Sequence, residues 1–179
     1  MSNDAAHKKI VDAMRLFDEG DFKKAYSQFK KLTQEFPDDA ECWYARAESG
    51  NYASGMFGAK IKTEEIIEAY EKACELDPDN ADYYQAYGAF CISVNKFDQA
   101  EMLYNEAAEM DESRAAHLYS EFAIEYYGTI VATYGDVPED APPEAVAAIE
   151  KALIPYKQKA LKYMLKALEI EPEEAKELL

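Results

Sequence analysis

Histidine and cysteine are scarce in this chain, and each scarcity removes a class of chemistry. The histidines, His7 and His117, stand alone, and no C-x-x-C or H-E-x-x-H spacing occurs, so no metal site is expected. Cys42, Cys74 and Cys91 have no paired spacing, and none has a histidine nearby in sequence to serve as its base. They read as small buried thiols, and an odd count of three argues for reduced thiols in a cytoplasmic protein. No apolar run reaches the length of a membrane span, and the N-terminus MSNDAAHKKIVDAM lacks the apolar core of a secretory leader.

Basic residues are also few. Lys and Arg total 19 against 36 Asp and Glu, giving a net charge of -17 and a pI near 4.5. Nucleic-acid binding rests on cations that neutralise phosphates, so no nucleic-acid partner is expected, and anionic membranes are disfavoured for the same reason. Solubility and the selection of a basic partner are the roles left for this charge. Carboxylate pairs such as Asp38-Asp39, Glu64-Glu65 and Glu173-Glu174 fall at helix starts or tails, where negative charge suits the helix dipole, so they do not indicate acid–base catalysis. No enzyme activity and no cofactor are expected.

What the chain does have is apolar residues, 49% of the total, with 14 Tyr among them. A chain of 179 residues with that composition folds and can bury about 70% of its unfolded surface. The clearest pattern is ADYYQAYGAFCISVNKFDQAEMLYNEAAEMD, Ala81 to Asp111. Tyr84, Tyr87, Gly88 and Cys91 lie on one stripe of a helix, a break follows at Asn95 to Phe97, and Ala100, Leu103, Tyr104, Ala107 and Met110 form a second stripe. The small residues Gly88, Ala100 and Ala107 mark points of close approach in a helical hairpin. One hairpin cannot bury both stripes, so stacked neighbours are needed.

These positions resemble the tetratricopeptide repeat, whose aromatic, glycine, tyrosine and alanine signature is met by Tyr84, Tyr87-Gly88, Ala100, Tyr104 and Ala107, with Cys91 as a small substitute and Glu112 where a proline closes the family pattern. The resemblance implies an all-α fold, a right-handed α-solenoid of helical hairpins forming one domain over 1–179. A first unit runs from Ala5 to Asp39 around the turn Glu19-Gly20-Asp21-Phe22, with Phe22, Ala25, Phe29, Leu32 and Pro37 at repeat offsets. A second runs from Ala40 to Asn80, with Trp43, Ala47, Tyr70, Ala73 and Leu76 in place.

The second unit is long, and the surplus falls within Gly50 to Lys62, where Gly50, Gly55 and Gly58 predict a flexible loop. Gly50 and Gly55 also have the spacing of a phosphate-binding loop. Met56 and Phe57 stand where the lysine and hydroxyl residue would be, so nucleotide binding is not expected. Met56 and Phe57 instead fold back on the core or meet a partner. After the third unit, 81–114, a fourth shows Tyr119, Phe122, Ala123 and Tyr126, a turn-rich break GDVPEDAPP, and an elongated second helix from about Pro143 that Pro155 is expected to kink or interrupt. That long hairpin leaves room for a second copy, making a homo-oligomer possible. The tail EEAKELL is expected to cap the open end.

In proteins of this family the first helices of each hairpin line a groove that takes a peptide or a partner helix. Carried over by position, the resemblance places Glu41, Tyr44, Glu48 and Asn51 there from the second unit, Asp82, Gln85 and Ile92 from the third, and Glu121, Ile124 and Tyr127 from the fourth. The Lys, Asn and Arg with which chaperone-binding members grip a carboxylate are absent, so the implied ligand is basic and apolar. The expectation is a cytoplasmic protein-interaction module, with a small acidic chaperone for secretion or assembly substrates as the alternative.

Overall fold

The computed structural model describes residues 3–138 and 140–177, and within them every regular element is helical. The chain divides into two compact units, Met1–Ala86 and Tyr87–Leu179, the division falling inside one helix.

In the first unit, α1 (Asn3–Asp18) and α2 (Phe22–Glu35) are joined by a turn in which Gly20 takes a positive φ of 78°, open to glycine without strain. The Asp21 carboxylate then accepts from the backbone N–H of Lys24 and caps α2. Asp39 caps α3 (Ala40–Phe57) in the same way, accepting from the Cys42 N–H at 2.9 Å, while the Trp43 indole donates to the Pro37 carbonyl and fixes the entry angle. α4 (Thr63–Leu76) returns along α3. Ala25, Phe29, Leu32, Cys42 and Ala45 pack together in a core that also takes Ile10, Met14 and Phe17 from α1. At the edge of this unit Glu65 of α4 accepts from the Tyr26 hydroxyl at 3.0 Å and from the Lys30 ammonium, tying α2 to α4.

The expected flexible loop at Gly50 to Lys62 is corrected here: α3 continues through Gly50 and Gly55 to Phe57, and only residues 58–62 connect it to α4. Gly50 is a close-approach residue, since a Cβ there would lie 3.1 Å from Ile66 and 3.2 Å from the Tyr26 ring. Gly58, with φ of 58°, ends the helix in the left-handed conformation. The glycines therefore serve packing and a helix stop, a distinction that composition cannot make. Tyr52 and Phe57 on the added turns touch Phe22, with centroids 4.9 and 5.9 Å away, but Phe57 remains exposed, as does Met56.

α5 (Ala81–Ser93) carries the division between the units. In the second unit, Asn95 at φ 61° turns the chain into α6 (Phe97–Met110). Gly88 lies so close to Tyr104 that a Cβ would approach its ring to 2.8 Å, the contact the repeat signature predicts. A 3-10 turn, Glu112–Arg114, held by Asp111 through Ser113 and Arg114, replaces the missing proline and leads into α7 (Ala115–Tyr134). α8 (Pro143–Ala167) packs along α7, burying Leu153, Ala160 and Tyr163. Pro155 does not interrupt it: α8 is continuous across that residue, with the proline ring exposed. The tertiary contacts on either side outweigh the loss of one backbone donor. A short α9 (Pro172–Glu177) follows; the last part of the expected cap, Leu178 and Leu179, lies outside the described residues.

Candidate functional site

The side chains of Tyr44, Glu48 and Asn51 share one stripe of α3, because steps of four and three residues return to the same helix face. What lies behind them is aromatic. The Tyr44 ring stacks on Tyr83 with centroids 4.6 Å apart and meets the edge of Tyr70 at 6.4 Å. Tyr70, from α4, is fully buried, and its hydroxyl donates a short hydrogen bond to the Glu48 carboxylate. Asn51, one turn on, reaches the same hydroxyl.

This setting alters the acid–base behaviour of the cluster. Burial pushes the Glu48 carboxyl above its ordinary value, and the Tyr70 hydrogen bond opposes that only in part. Burial also raises the Tyr70 and Tyr44 hydroxyls, with the Glu48 charge adding to both and Asp82 adding to Tyr44. Burial and the nearby carboxylates of Asp77, Glu41 and Asp39 push Tyr83 up to about 12. Among the described residues, no Lys, Arg or His comes within ion-pair distance of Glu48.

The remaining first-unit candidates lie close by: Glu41 is exposed in the first turn of α3, Asp82 is exposed on α5, and Gln85 is half-buried. In the second unit, Glu121 of α7 accepts from the buried Tyr104 hydroxyl at 3.0 Å and lies 3.5 Å from His117. The Glu48 and Tyr70 pairing thus recurs in different helices. Ile124 is exposed and Tyr127 half-buried on α7. Ile92 is a correction: at 2% exposure it cannot form the floor of an open groove, because the tight turn at Asn95 draws the last turn of α5 into the core. Tyr70 and Tyr104 were legible only as core aromatics; that each would hold a candidate glutamate depends on the approach of a second helix.

Sequence reasoning also missed the polar joint between α6 and α8. Glu101 accepts from Lys159 at 2.5 Å and from the Tyr163 hydroxyl at 2.9 Å, while Asn105 donates to that hydroxyl at 2.7 Å. Burial alone would raise the Glu101 carboxyl, yet these donors, with the Lys159 and Lys162 charges, leave it below its ordinary value. A cleft of about 480 Å³ beside the joint is lined by Phe97, Asp98, Tyr126, Pro155, Tyr156 and Lys159. Among the described residues no three His, Cys, Asp or Glu converge on a metal position, and burial pushes the Cys42 thiol up to about 12, far from a reactive thiolate.

Residues 69–102, which take in the latter part of α4, all of α5 and the start of α6, match the tetratricopeptide-repeat family model. The fold is shared with solved structures. One is the TPR2B domain of yeast Sti1 in its complex with pHsp70, at 21% identity and a TM-score of 0.56 over 69% of this chain and 94% of that one. Another is MamA, at 18% identity and a TM-score of 0.57 over 99% and 98% of the two chains. A third is PilW, a widely conserved type IV pilus biogenesis factor, at 17% identity and a TM-score of 0.54 over 95% and 80%. No curated protein matches the sequence. Among the described residues, no helix is long and apolar enough to cross a membrane.

Proposed function

From the premise that this chain is a tetratricopeptide-repeat protein, we propose that it is a non-enzymatic interaction module whose ligand is a peptide or helix carrying Lys or Arg among apolar residues. The observation that carries this reading is the Glu48 carboxylate, held by Tyr70 between Tyr44 and Asn51 with no ion-paired cation among the described residues. A ligand ammonium or guanidinium would supply the missing charge, and the Tyr44 ring offers an aromatic face beside it. Asp82 and Glu41 add negative potential, which discriminates against acidic peptides and speeds encounter with basic ones.

Within the second unit, Glu121, Ile124 and Tyr127 are proposed as acidic and apolar ligand contacts in their own right, and Ile92 is dropped. Binding of this kind needs no cofactor. Three buried free thiols accord with a reducing, cytoplasmic setting.

The test is a titration of the protein with fluorescent peptides of one apolar framework bearing Lys, Arg, Glu or Gln at the variable positions. Lys and Arg peptides are expected to bind, and Glu48→Gln to weaken them by about tenfold, or about 1.4 kcal/mol. A chaperone that holds unfolded apolar segments would bind the Gln peptide equally well. That result, or binding of the Glu peptide, would reject the basic-ligand reading.

A further inference from the structure

Helix α8 presents an apolar stripe that no described part of the chain covers. Ile154, Leu161 and Leu168 recur every seven residues, which keeps them on one side of the helix over successive turns, and they are 46%, 53% and 62% exposed. Leu165, half-buried, lies along the same side. The other sides are occupied: Leu153 and Ala160 are buried, and Lys159 and Tyr163 bind α6. α9 follows as a short helix that leaves Leu161 and Leu168 open. The end of a repeat array ordinarily shows water a polar face, so an apolar seam on its last long helix calls for an occupant.

The charges beside the seam say what kind. α8 holds five Lys, at 151, 157, 159, 162 and 166, against Glu144 and Glu150, a net of +3 within a chain of net -17. Lys159 is bound to Glu101 at 2.5 Å and lies 3.6 Å from Asp98. Lys151, Lys157 and Lys162, which border the seam, are exposed and form no ion pair among the described residues. In a chain with 36 acidic residues, cations left unpaired along one apolar line are a local inversion of the protein's own charge.

We propose that this side of α8 docks an amphipathic helix of a partner protein whose apolar seam is flanked by Asp or Glu. The partner's seam packs on Ile154, Leu161, Leu165 and Leu168, and its carboxylates meet Lys151, Lys157 and Lys162 in the manner of flanking charges in a coiled coil. The α8 of a second copy fits less well, because it would set the lysines of one helix near those of the other. An anionic bilayer attracts the same lysines but meets the field of the whole acidic chain. This docking is independent of the acidic surface on α3, and either can fail without the other.

The experiment uses the full chain and a labelled synthetic helix of about three heptads, with Leu along the seam and Glu at the flanks, beside a twin with Lys at the flanks. Fluorescence anisotropy is expected to show the Glu helix binding at least about tenfold tighter than its twin, with a further loss at high salt. Leu161→Glu, and separately Lys157→Glu with Lys162→Glu, are each expected to weaken it about tenfold or more. Both alter exposed positions, and the double charge change tests the proposal even if Leu161→Glu lowers helicity. Equal binding of the two helices, or indifference to both variants, overturns the proposal. So does Leu161-dependent self-association in sedimentation velocity, which would make the occupant a second copy, or Leu161-dependent binding to phosphatidylserine vesicles without binding of the Glu helix.

Discussion

Replacing single glycines by alanine separates packing from propensity within this fold. Alanine is favoured over glycine by roughly 0.5–1 kcal/mol in a helix interior. Gly55 in α3 and Gly128 in α7 have nothing within 4 Å of an added Cβ, so Gly55→Ala and Gly128→Ala should realise that gain. At Gly88 the Cβ would lie 2.8 and 2.9 Å from two atoms of the Tyr104 ring. That ring cannot retreat cheaply, since Tyr104 is fully buried, its hydroxyl is bonded to Glu121 at 3.0 Å, and its face meets Phe122 at 5.5 Å. Overpacking of this kind costs about 1–3 kcal/mol, which exceeds the propensity gain, so Gly88→Ala should be destabilising by about 1–2 kcal/mol. Gly50, with approaches of 3.1 and 3.2 Å to Ile66 and Tyr26, should fall between, close to neutral. Urea unfolding followed by circular dichroism gives the midpoints in one series. The reasoning fails if Gly88→Ala is as stable as Gly128→Ala. It fails separately if Gly55→Ala brings no gain, because an unstructured segment at that position would not reward alanine.

Two further outcomes follow from the buried titratable groups. The Glu48 carboxyl is raised by burial, so the stability tied to its protonated form is fully present below the unfolded value near 4.5 and is lost as pH rises through the raised folded value. Glu48→Gln lacks that loss, and its melting temperature relative to the parent should become more favourable between about pH 4 and pH 7; a constant difference would refute the assignment. Replacement by Lys is the poorer probe of binding, because it would place a cation against the buried Tyr70 hydroxyl and lower stability on its own account. The thiols of Cys42, Cys74 and Cys91 are all buried, and that of Cys42 is pushed up to about 12, so a chromogenic disulfide reagent at pH 8 should react only at the rate of unfolding; prompt reaction of any thiol in the native protein would contradict the packing.

The sequence by itself determined the hairpins. Repeating stripes at Ala81 to Asp111, small residues at Gly88, Ala100 and Ala107, and the stops at Gly20 and Asn95 are local signals, and helix formation with its caps is decided over a few residues. Two isolated histidines and the lack of clustered ligand spacings likewise argued against metal chemistry without a structure. Tertiary structure decided what those signals could not carry. Whether Gly50 and Gly55 meant a loop or a longer helix depended on Ile66 and Tyr26 standing close to Gly50, and whether Pro155 broke α8 depended on the surfaces burying Leu153 and Ala160. Ile92 occupied a groove position by register but was buried by the turn that follows it. Glu48 became more than a surface charge because the next helix, α4, folds back and delivers Tyr70 to it, and the α8 seam is open because no other helix among the described residues covers it. Helical periodicity assigns a residue to a face, whereas contacts between elements decide what that face meets.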